Sequence, residues 1–202
     1  MPEAASSSNG DAARAVVLVE GVSDRAALEV LAVRRGMDLA ADGIAIVPMA
    51  GITNIGHFLA DYCVPGRGVR VTGLYDDAEE RFVRRGLRRV GLGGELDGRP
   101  REALEELGFY ACSPDLEDEL IRALDVGVVL EIFKAEGELG SFRTFQRQPA
   151  HQRSSTQAQL HRFLGTRSGR KIRYGRLLVE ALDLTRVPRP LDQALAHVTQ
   201  LG

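Results

Sequence analysis

The chain has 202 residues, 44% hydrophobic and 27% charged, with 26 basic and 28 acidic side chains and a formal net charge of −2. Such values describe an ordinary globular protein, long enough for one good-sized core. They exclude a strongly basic protein that coats nucleic acid, but not a nuclease whose acidic metal site offsets basic residues elsewhere.

The first 13 residues, "MPEAASSSNGDAA", are small and polar and read as a flexible lead rather than a signal peptide. "AVVLVE" (15–20) reads as a strand, and Ser23 caps a helix that runs to a stop at Gly36. "GIAIVPM" (43–49) is a second strand, followed by a helix over 53–63 capped by Thr53 or Asn54. "GVRVTGLYDD" (68–77) is a third strand, "AEERFVRRGLRRVGL" (78–92) an arginine-rich amphipathic helix, and "GFYACS" (108–113) a fourth strand. Strands separated by helices of this length imply right-handed crossovers and a mostly parallel α/β sheet.

After Pro114 five stretches read as helices, with breaks expected at Gly127, Gly137, Gly165 and the Pro188/Pro190 pair. "SFRTFQRQPAHQRSS" (141–155) lacks strong periodicity and is expected to be a connection, with Phe142 and Phe145 in the core. The predicted organisation is the lead (1–13), an α/β core (14–125) and a helical region packed on it (126–202). Cys63 and Cys112 form no CxxC pair and read as buried thiols of a reducing compartment. No apolar run approaches the ~18 residues of a membrane span, so the expectation is a cytoplasmic protein without a membrane partner.

Open parallel sheets gather their sites outside the carboxyl ends of the strands. Glu20 ends the first strand and Asp76 and Asp77 end the third. If those strands are neighbours, about 4.8 Å apart, their carboxylates converge, and Asp24 in the next helical turn reaches the same place. Either arginines neutralise such acids or a hard divalent cation does. The helix dipole alone accounts for Asp24, Glu79 and Glu80, each in a first turn. It does not account for Glu20 and Asp76, which directly terminate apolar strands. A third acidic run, "PDLEDEL" (114–120), starts a helix at Pro114 and Asp115, with Glu117 expected to point inward and Asp118 outward. Alone it reads as a helix start; after two strand-end acidic groups it is a candidate second metal position.

The stretches "LVEGVSDRAAL", "VPMAGITNIGHFL" and "VTGLYDDAEERF" together resemble the Toprim domain of topoisomerases, primases and some nucleases. With "FYACSPDLEDELIRAL" and "GRKIRYGRLL" the chain resembles the OLD (overcoming lysogenization defect) family in particular, over roughly residues 15 to 182. The resemblance implies a Toprim-like (Rossmann-like) sheet and a metal-dependent endonuclease acting on DNA with two Mg²⁺ or Mn²⁺ ions. It makes Glu20 and Asp24 metal ligands, with Asp76 and either Asp77 or Glu79, and Glu117 with Glu119 for the second ion. Glu20 and Lys171 would be catalytic, Lys171 stabilising the scissile phosphate. The usual Asp-x-Asp pattern is interrupted, because position 78 is Ala. No GxxxxGK[ST] phosphate loop occurs, so the chain looks like a free-standing Toprim unit or a fragment. A separate ATPase subunit and a second copy of the chain are the further partners this implies.

Arg170, Arg173 and Arg176 around Lys171 are candidate nucleic-acid contacts, against an ordinary solvated face. Arg84, Arg85, Arg88 and Arg89 form a second basic helix with the same two readings. None of the four histidines shows metal-ligand spacing, and none is assigned a role. Two rival functions stand beside the nuclease. One is a non-cleaving scaffold for metal, nucleic acid or a partner ATPase; the other is nucleotidyl transfer on small nucleotides.

Overall fold

The computed structural model describes residues 13–199 except 93, 95, 97 and 168; the predicted lead, but for Ala13, lies outside them. β1 (Ala15–Val19) is buried at all five positions. It is an interior strand of a four-stranded parallel sheet ordered β2 (Ile44–Pro48), β1, β3 (Arg70–Asp76), β4 (Phe109–Cys112). An interior strand covered on both faces needs an unbroken apolar run rather than alternation. Ala15, Val17 and Val19 accordingly enter one hydrophobic core, and Val16 and Leu18 the other. Leu18 sits opposite Gly73 of β3, where a Cβ would stand 2.9 Å from the Phe109 ring, so glycine is required by packing.

The core around Val16 and Leu18 is closed by α2 (Ile55–Tyr62), α3 (Glu80–Arg89) and α4 (Glu102–Glu106). The other face is covered by α1 (Val22–Arg34), α5 (Leu116–Ala135), α8 (Arg170–Ala181) and α9 (Arg189–Thr199). Outside these, α6 (Leu139–Gln146) and α7 (Thr156–Leu164) pack on α5 through aromatic rings. Phe133 lies between Phe142 (centroids 5.4 Å apart) and Tyr174 (4.8 Å) in edge-to-face contacts. The α/β sheet with a helical C-terminal part is thus as expected, and the helices beyond residue 115 share their core with the sheet. Among the described residues, no helix is long and apolar enough to cross a membrane.

The differences from the sequence reading have local causes. α1 starts at Val22, with Gly21 rather than Ser23 at its N-cap, because the Gly21 N–H donates to Asp24 Oδ2 at 2.8 Å. Asn54 occupies the N-cap position of α2, but its amide donates to the carbonyls of Met49 (2.9 Å) and Ala50 (3.3 Å) instead of capping. The break expected at Gly127 falls at Asp125, whose φ of 68° leaves the helical region. The segment 141–155 is not all connection: its first third is α6, held by Phe142 and Phe145, two anchors too few to register as a period. Both rings are buried as expected.

Candidate metal centre

Because β1 and β3 are hydrogen-bonded neighbours, their carboxyl ends deliver Glu20 and Asp76 side by side. A 3₁₀ turn over Asp77–Glu79 then folds Glu79 back toward them. Glu20, Asp76 and Glu79 each offer an oxygen, and the three oxygens lie within 4.8 Å of one another. Asp24 stands beside this group; with Glu20 and Asp76 it lines a cavity of about 10 Å³ walled by Tyr75, Cys112 and Leu116. Such a space holds one water-sized particle.

Among the described residues none of these four acids is in an ion pair, and burial outweighs the more distant charges of Arg81 on Glu79 and Lys171 on Asp24. Burial, then the charges of Glu20 and Asp115, pushes Asp76 up to about 8. Burial and a close contact with Glu20 push Glu79 up to about 7. Burial raises Asp24 to about 6, against the Gly21 N–H bond that lowers it. Glu79 Oε2 is buried with no hydrogen-bond partner. A buried, donorless carboxylate oxygen among other carboxylates fits a hard cation that takes oxygen ligands.

A second group forms at the start of α5. Asp115, Glu117 and His161 each offer an atom within 4.8 Å of the others. Asp115 does two jobs: its Oδ1 caps α5 by accepting the Asp118 N–H (3.0 Å), and its Oδ2 meets His161 Nε2 at 2.5 Å. Burial alone would raise Asp115, but the His161 and Asp118 hydrogen bonds carry it below the ordinary value. The same bond holds His161 above its ordinary value. Glu117, only 4% exposed, pairs with Lys171 Nζ at 3.2 Å. Burial works against the Lys171 charge, yet Glu117 overrides it and raises the ammonium. Lys171 is placed by α8, which approaches α1 closely at Gly175, where a Cβ would sit 3.3 Å from the Ser23 carbonyl oxygen. The two groups feel each other, since Glu117 contributes to raising both Asp24 and Asp76.

Of the residues expected at the site, Glu20, Asp24, Asp76 and Glu79 come together, and Glu117 meets Lys171. Asp77 does not join them: it is ion-paired with Arg101 and reached by Ser113 Oγ at 3.4 Å. Glu119 is likewise engaged elsewhere, by the Ser113 N–H (3.0 Å) and Arg122 (2.8 Å). Asp118, expected to face outward, is buried, bonded to Arg122 (2.6 Å) and Gln157 (2.9 Å).

Two of the three expected nucleic-acid contacts on α8 are also spoken for. Arg170 is a core residue, 5% exposed, paired with Glu138 (2.6 Å), bonded to the Phe163 carbonyl (3.0 Å) and stacked over the Phe163 ring. Arg173 is ion-paired with Glu136 and Glu138. On α3, Arg84 is held by Glu80 at 2.7 Å and turns from the solvated face on which it was expected. Sequence reasoning missed Asp115 and His161. Asp115 looks like a plain helix start because it also is one; His161 lies 46 residues away with no local signal.

The family model described as "Overcoming lysogenization defect protein-like, TOPRIM domain" matches residues 13–62, from just before β1 to the end of α2. Solved structures extend the likeness over the chain. The C-terminal region of the Burkholderia pseudomallei OLD protein superposes with a TM-score of 0.67 at 19% identity, covering 92% of this chain and 97% of that one. The fold is that of an OLD-type Toprim region. The C-terminal region of the Xanthomonas campestris pv. campestris OLD protein gives the same TM-score, 0.67, at 22% identity, covering 92% of this chain and 94% of that one. No curated protein matches the sequence.

Proposed function

We propose that the chain is a divalent-metal-dependent nuclease that hydrolyses phosphodiester bonds of DNA at the carboxyl end of its Toprim-like sheet. The observation that carries this reading is the convergence of Glu20, Asp76 and Glu79 oxygens within 4.8 Å, none of the three being in an ion pair among the described residues. Glu20, Asp76 and Glu79, with Asp24 behind them, would hold one ion; Asp115 and Glu117 would hold a second. Mg²⁺ or Mn²⁺ bound there supplies Lewis-acid activation of water and charge neutralisation at the phosphate.

The chain's own residues divide the remaining work. Lys171, half-exposed at the rim, places an ammonium where the phosphate's non-bridging oxygens gain charge. Glu117 orients that ammonium and keeps it protonated. His161 fixes the Asp115 carboxylate in one orientation through Nε2. Asp77 and Glu119 take no part, being paired with Arg101 and Arg122.

The test is nicking of supercoiled plasmid with Mn²⁺ or Mg²⁺, wild type beside Glu20→Ala. Metal-dependent nicking that disappears in a variant with an unchanged melting curve supports the nuclease; a wild-type protein inert with both metals overturns it. A non-cleaving scaffold is the second reading, favoured by one fact: Arg101 removes Asp77 from the acidic set. It predicts Mn²⁺ binding by calorimetry without nicking.

A further inference from the structure

Away from the acidic groups, α6 and α7 enclose an open pocket of about 800 Å³, the size of a small-molecule site. Its floor is Phe145, Phe163 and the buried Arg170; its walls carry His151, Arg162 and Arg167. The lining contains three arginines and no carboxylate. Glu138 satisfies part of Arg170, but two buried ring or guanidinium nitrogens here, Arg170 Nε and His151 Nδ1, have no hydrogen-bond partner. Buried polar groups are rarely left so.

Charge segregation along the chain points the same way. Residues 139–170 hold six arginines (143, 147, 153, 162, 167, 170) and no acid, in a protein whose net charge is −2. Arg162 and Arg167 are exposed and, among the described residues, neither is within ion-pair distance of a carboxylate. Among the described residues, Arg162 donates to Ser154 Oγ, at 3.4 Å. A planar guanidinium with free N–H groups is the side chain best suited to phosphate oxygens.

From this we infer that the α6–α7 pocket is a second, metal-independent site for a phosphate ester, carried either by a free nucleotide or by a nucleic-acid strand. Arg162 and Arg167 bind its oxygens, while the Gln148 amide in the lining offers a neutral donor. The site goes beyond the proposed hydrolysis and does not need it. α7 nevertheless links the two, since His161 faces the acids and Arg162, the next residue, faces the pocket.

Binding in EDTA separates this site from the metal centre. Two probes, dAMP and a fluorescein-labelled twelve-nucleotide single strand, are titrated against wild type, Arg162→Gln/Arg167→Gln and Arg143→Gln/Arg147→Gln. The last pair removes the same charge from α6 and the residue that follows it, outside the pocket lining. A loss of about tenfold or more in the first variant but not the second supports the site, with the salt slope for the strand falling by roughly 0.7 per contact removed. Loss for dAMP as well as the strand identifies a nucleotide pocket; loss for the strand alone identifies a strand contact. Equal loss in both variants, or no wild-type binding of either probe, overturns it. Plasmid nicking plays no part in this readout, so failure here leaves the nuclease proposal standing.

Discussion

The two acidic groups at the sheet's carboxyl end are built from similar residues and balanced in opposite ways. Glu20, Asp76 and Glu79 face one another with no ion pair to any of them among the described residues, and two of the three are pushed up to about 7 or 8. Asp115 and Glu117 are just as enclosed but come with cations of the protein's own, His161 and Lys171. The first group is left short of positive charge and waits for it from outside. The second already has partners within the protein, so an incoming ion must compete with an ammonium and an imidazole. The comparison teaches that acidic content alone does not measure appetite for metal; what matters is which charges already have partners.

That comparison can be broken or sharpened by experiment. The largest effect belongs to the most buried charge: Arg170→Met removes the closer of the two ion pairs of Glu138, leaving it Arg173 alone, and should cost about 3 kcal/mol of stability by urea unfolding. Arg173→Ala, exposed, should cost under about 1 kcal/mol. Next, Lys171→Met should lower nicking by about 10²–10³-fold while leaving Mn²⁺ binding at the Glu20 group intact. Loss of that binding would show that the groups are one site.

Third, Asp76→Asn should stabilise the metal-free protein at pH 8 by about 1 kcal/mol, well below the bare shift because water reaches the group. The sign follows from proton counts. Folded Asp76 keeps its proton up to about pH 8, whereas the unfolded side chain releases it near pH 4. Stability therefore falls as pH rises between those values and stays lost above. Melting curves of the metal-free wild type should show that fall, Asp76→Asn should flatten it, and Mg²⁺ should flatten it in the wild type. Smallest is His161→Gln. The raised folded value of His161 gives stability that is full below about pH 6.5 and lost as pH climbs through the folded value. The substitution should thus cost under about 1 kcal/mol at pH 5.5 and less at pH 8.5.

How much of this was legible in the sequence depended on range. β1 was readable because a strand covered on both faces must be apolar at every position. Glu20 and Asp76 were readable because a charge that ends such a run has no packing reason to be there. Asp77 and Arg170 could not be sorted, since their partners Arg101 and Glu138 are set by tertiary contacts, whereas Arg122 lies only three residues from Glu119 on the same helix. The arginines around Lys171 looked like a binding strip because charge is visible in sequence and ion pairing across 32 residues is not. His161 had no local mark at all, and Asp115 was hidden by its own helix-capping role.

One face of the sheet is roofed by α5, α8 and α9, and α8 also brings Lys171 to the acids. A chain emerging from the ribosome therefore has its carboxylates long before it has a roof or an ammonium to set among them. Until α5 and α8 are made, α1 alone covers that face of the sheet, and the acids that end β1 and β3 stand without Lys171 near them, so the acidic centre is completed by segments that follow the sheet in the chain.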